Sequence, residues 1–183
     1  MKRLHPGIWA VLSVSFYPLV WRLFSSEGPA FAGLVSDLGI GLIFAAVCIQ
    51  RSRIARLVLL GFWLTAHIGS WELMAAVQRF PSFQDLAFLN DPEFLKTSTA
   101  GIHLAHPGLA AGLMVMAVPA LMMPVGPWRM KNRIAMVAAG FFLMAPHDVL
   151  KRRADDQGVA RQYHPLHWFV VDGIKAWRLP SYP

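Results

Sequence analysis

The sequence is short of charge. Asp, Glu, Lys and Arg make up 15% of its 183 residues, against about 25% in a typical soluble domain. Hydrophobic residues reach 56%, so the chain lacks the polar surface to keep one modest domain in water. The deficit points to lipid. Cysteine is almost missing as well. Cys48, the single thiol, lies inside an apolar run, which excludes an internal disulfide and a Cys-based zinc site.

Other absences narrow the function. There is no Ser-His-Asp arrangement, no phosphate-cradling glycine loop and no dinucleotide fingerprint. No small-residue cleavage site follows the basic N-terminus, since Arg22 and Phe24 occupy the positions where one is wanted. The first apolar segment therefore reads as a retained helix. A net charge of +7 suggests nucleic acid in a soluble protein. Here the basic residues sit in short clusters between apolar runs, with no separate basic patch, so no nucleic-acid partner is expected.

What is present is a set of five apolar stretches: Ile8 to Phe24, Phe31 to Gln50, Ile54 to Val77, Leu104 to Met123 and Ile134 to Leu150. Crossing the hydrocarbon takes roughly 17–25 residues, so the expected fold is all-α integral membrane, with five transmembrane helices. The fifth span contains Pro146, His147 and Asp148 and is the weakest. Three intervening segments are strongly basic: Lys2 and Arg3; Arg51, Arg53 and Arg56; Arg129, Lys131 and Arg133. The other two nearly balance, with Arg22 against Glu27, and Arg79 and Lys96 against Asp85, Asp91 and Glu93. The basic segments all fall on one side, which the positive-inside rule makes cytoplasmic. The expected location is a bacterial inner membrane, with the N-terminus inside and the C-terminus outside.

Residues 1–150 thus form the membrane domain, with an outer loop over 79–102, and residues 151–183 an outer-face tail. In the tail, Leu166, Phe169, Val170, Ile174 and Trp177 share one helical face. That pattern predicts an amphipathic interfacial helix, with His164 and His167 at its start meeting headgroups. Gly108 with Gly112, and Gly33, Asp37 and Gly41, mark expected helix contacts. Met114, Met116, Met122 and Met123 read as packing, and His5 as a cytoplasmic end residue.

Ionisable groups inside apolar runs are costly and therefore informative. At about 1.5 Å rise per residue, Asp37, His67, Glu72, His103, His106, His147 and Asp148 all fall in the outer half. They suggest a water-accessible polar pocket there. Three readings fit it: a site for a lipid headgroup, helped by Arg79, Lys96 and Lys151; a metal held by His103, His106 and His147, or a haem on His67; and plain interfacial polarity.

The layout and the loop Asp91-Pro-Glu-Phe-Leu-Lys-Thr-Ser98 resemble the membrane domain of lipoteichoic-acid-synthase-like proteins, in the alkaline phosphatase and sulfatase superfamily. The resemblance implies an extracytoplasmic catalytic domain acting on a phospholipid, whose catalytic positions do not occur in this sequence. The function expected is a membrane anchor or accessory domain that positions an outer-face protein partner and binds a membrane lipid. The alternatives are a haem- or copper-binding redox subunit, and a structural subunit of a larger complex.

Overall fold

A computed structural model describes residues 5–24, 30–83, 85, 104–147 and 158–178. The described residues contain helices and no strand. In chain order these are α1 (Pro6–Phe24), α2 (Phe31–Cys48), α3 (Arg53–Val77), α4 (Pro107–Met122), α5 (Met130–Met144), the single turn α6 (Val159–Gln162) and α7 (Pro165–Arg178). His103, Asp148 and the loop segment 91–98 lie outside the described residues.

Three helices, α1, α2 and α3, are long and apolar enough to cross a membrane. Their outward faces carry large apolar groups. On α3, Ile54 is 78% exposed and Val58 66%. Such a surface is a liability in water and an asset in hydrocarbon. The fourth and fifth expected spans are shorter as helices, with 16 residues in α4 and 15 in α5. The described part of the fifth ends at His147, before Leu150 is reached.

The helices pack antiparallel, chiefly α1 on α2 and α4, α2 on α5, and α3 on α4. Glycine decides how closely. A Cβ on Gly39 would lie 2.9 Å from the carbonyl oxygen of Gly140, and one on Gly140 would lie 2.6 Å from that of Gly39. The α2–α5 crossing is therefore a backbone-to-backbone contact that no larger residue permits. Gly112 likewise leaves room for the ring of Tyr17, whose hydroxyl donates to the Gly108 carbonyl at 3.1 Å. The expected Gly108–Gly112 contact is thus between α1 and α4.

α3 holds α4 at both ends. Near one end, the Glu72 carboxylate accepts from the backbone N–H groups of Ala105 (2.7 Å) and His106 (2.9 Å). At the other, Arg56 donates to the carbonyls of Ala120 (2.9 Å) and Met123 (2.8 Å). A helix leaves its first N–H and last C=O groups unmatched. Here an anion meets the positive end of α4 and a cation its negative end. Arg133 similarly donates to the Ala46 carbonyl at the end of α2 (2.8 Å). Arg56 and Arg133, one from each of these basic turns, are thus helix caps.

Candidate functional site: a buried cradle for the tail

The tail does not lie loosely against the bundle. Its break between α6 and α7 is sunk into the end formed by the C-termini of α1, α3 and α5 and the N-terminus of α2. Tyr163 and His164 are each 1% exposed. His164 meets His67, which lies about 15 Å along α3 from its C-terminal end by helical rise. Non-helical backbone at such depth is tolerated only where its polar groups find partners within the protein.

The cradle supplies them group by group. The Gln162 carbonyl accepts from His147 Nε2 at 2.7 Å. The Tyr163 carbonyl accepts from Arg22 Nη2 at 2.9 Å. The His164 N–H donates to Ser36 Oγ at 2.9 Å, and that hydroxyl also meets His167 Nδ1 at 2.7 Å. The Leu166 N–H donates to His164 Nδ1 at 3.1 Å. Helices α1, α2 and α3 and the turn just after α5 thus converge on Gln162, Tyr163, His164 and His167 of the tail.

Arg22 is the centre of charge. It is 3% exposed and bonds Asp37 twice, Nε to Oδ2 at 2.5 Å and Nη2 to Oδ1 at 3.0 Å. Its guanidinium also lies 5.8 Å from the Trp71 ring centroid. A planar fork matched to a carboxylate is the geometry that makes a desolvated pair tolerable. Nη2 serves both Asp37 and the Tyr163 carbonyl, so the same guanidinium joins the carboxylate to the tail.

The two buried imidazoles have their protons placed by the same network. His67 Nδ1 lies 2.8 Å from the Trp63 carbonyl, which can only accept, so Nδ1 carries the proton and Nε2 is an acceptor. His164 Nδ1 accepts from Leu166, so its Nε2 carries the proton and donates to His67 Nε2 at 2.8 Å. Both rings are neutral. Burial drives His164 well below the ordinary imidazole range, and His67, Arg22 and His167 press it further down.

The residues expected to form one polar pocket therefore separate into two groups. Asp37, His67 and His147 belong to the cradle. Glu72 and His106 belong to the start of α4, where His106 Nδ1 is 3.7 Å from Glu72 Oε1 and the ring meets Trp21 and Trp71 edge-on. Among the described residues no three His, Cys, Asp or Glu side chains converge as a metal site. A metal joining His67 and His164 would have to displace the hydrogen bond between their Nε2 atoms. His164 and His167, expected to meet headgroups, instead lie in the cradle. Arg22, read from sequence as a loop charge, is its main donor. The signal was there in Asp37: a carboxylate about 9 Å inside α2 needs a cation at its own level, and the last turn of the antiparallel α1 provides one.

No protein-family model matches the chain, and no curated protein or solved structure shows significant similarity to it.

Proposed function

We propose that this chain is a membrane anchor that holds whatever is joined or bound to its tail at a set height and angle above the outer face of the bilayer. The observation that supports this reading is the cradle. A simple tether needs only a flexible linker, whereas here the tail is bonded through buried backbone to Arg22 of α1, Ser36 of α2 and His147 just after α5, and through the His164 ring to α3. In this reading α4 and α5 also cross, making five spans. Arg51, Arg53, Arg56, Arg129, Lys131 and Arg133 then face the cytoplasm, and the tail lies outside.

The resemblance to lipoteichoic-acid-synthase-like proteins agrees with such a role, because their membrane domain carries an extracytoplasmic catalytic domain. A headgroup bound by Asp37 or Glu72 would have to compete with Arg22 or with the amide groups of α4. This favours a structural role for both carboxylates.

Two measurements test the reading together. A reporter fused after Pro183 that works only outside the cytoplasm is expected to be active. Spin labels on the tail and on α2 are expected to give one narrow distance distribution, which Ser36→Ala broadens. A silent reporter beside a working cytoplasmic control overturns the topology. A broad distribution in the native chain overturns the rigid joint.

A further inference from the structure

The cradle occupies one side of α7. The other side has a different character. Phe83, from the segment after α3, stands opposite Phe169, Val170, Gly173, Ile174 and Trp177, and together they line a groove of about 550 Å³. Among the described residues no charged or amide side chain lines it. Trp177 is 89% exposed, Val170 55% and Ile174 47%. Gly173 forms the floor, where a Cβ would come within 3.1 Å of the Phe83 ring.

We propose that this groove holds the hydrocarbon chain of a bilayer lipid. Three observations choose that occupant. First, the groove continues the lipid-facing belt: the cradle ties α7 to the same end of the bundle at which Phe24 and Phe31 stand exposed. Second, the lining offers a peptide nothing. A strand or helix terminus laid there would leave backbone groups desolvated without partners, whereas an acyl chain has none to satisfy. Third, among the described residues the charge at the rim does not select a phosphate. Arg79 is spoken for by Asp85, at 2.6 and 2.8 Å, and that pairing pulls the Asp85 carboxyl down to about 2. Asp172 adds a second carboxylate, accepting from the Phe83 N–H at 2.9 Å. Lys175 lies against Trp168 instead, 5.6 Å from its ring centroid. Hydrocarbon burial, not headgroup charge, provides the affinity.

The test uses the full chain in phosphatidylcholine vesicles carrying a trace of phosphatidylcholine with a photoactivatable diazirine in its acyl chain. Adducts are expected on Phe83 and on residues 169–177, as well as on the exposed faces of α1–α3. Gly173→Leu, which fills the floor, is expected to lower the groove adducts by about fivefold, roughly what the burial of one or two methylenes contributes. Ile174→Asp should do the same without added bulk. Labelling of α1–α3 should stay constant in both, and so report folding. The proposal is overturned if α1–α3 label and the groove does not, or if both variants leave groove labelling unchanged. It also fails if labelling rises strongly with anionic lipid and falls with salt, or if Ile174 cross-links to a second copy in place of lipid.

Discussion

Trp63 on α3 donates its indole N–H to the carbonyl of Val14 on α1, at 3.1 Å, and Val14 stands four residues before Pro18. Proline has no N–H to give to the carbonyl one turn back, so the bond that α1 cannot make for itself is made by its neighbour. The same indole stacks on Phe44 of α2, with centroids 4.0 Å apart. One side chain therefore joins three helices at the point where one of them lacks a backbone donor.

Removing that donor should cost most where the proline is present. Trp63→Phe is expected to lower stability by about 1–3 kcal/mol, because it leaves a buried carbonyl unsatisfied. In a Pro18→Ala background, where α1 can supply its own N–H, the cost should be smaller by roughly 1 kcal/mol. A double-mutant cycle measured by reversible unfolding in detergent would show the coupling, and additive effects would contradict it.

The Arg22–Asp37 pair should behave as a unit. Asp37→Ala leaves a buried guanidinium without its carboxylate and is expected to cost about 3–5 kcal/mol. Replacing both with apolar residues of similar size should cost less than that, although the Tyr163 carbonyl then loses a donor. Thermal unfolding of the two single variants and the double variant measures the difference. A double variant worse than either single one would argue against the pairing.

The tail should loosen in acid. His164 is held neutral, surrounded by His67, His167 and Arg22, while in an undocked tail it titrates near the ordinary value of 6.5. The undocked state therefore takes up more protons as pH falls below about 6.5. Docking is complete above that value and weakens below it, by up to about 1.4 kcal/mol per pH unit for one proton. Hydrogen exchange of residues 162–167 from pH 8 to pH 5 would follow this. His164→Gln should flatten the profile, and a native profile already flat would refute the assignment.

Glu72 should act locally. Glu72→Ala is expected to expose the first turn of α4, with a cost of about 1–3 kcal/mol for the stranded N–H groups, while Glu72→Gln retains much of the cap. Exchange rates at Ala105 to Ala110 would rise in the first variant and little in the second. An equal rise across the whole chain would mean that Glu72 serves the fold in another way.

The apolar architecture was legible because hydrocarbon selects by composition: α1, α2 and α3 follow the first three apolar runs closely. The helix contact at Gly108 and Gly112 was legible too, whereas Asp37 and His67, expected in a water-accessible pocket, are sealed within the bundle. The cradle was not, since its bonds join residues 97, 128 and 141 positions apart, beyond any periodicity. His164 sits beside Pro165 before an amphipathic helix, a pattern shared with segments that rest on a membrane surface. Only the demand of Asp37 for a cation, and of a helix break for hydrogen-bond partners, separates the two cases.

The arrangement at the ends of α4 bears on how the chain tolerates change. Glu72 and Arg56, sixteen residues apart on α3, act as two fixed stops between which α4 must seat. Its register is thereby independent of the connection that precedes it. Residues between Asp85 and Leu104 can lengthen, shorten or diverge among descendants of this sequence without sliding the helix. Evolution is free to experiment on that connection while the helices keep their alignment.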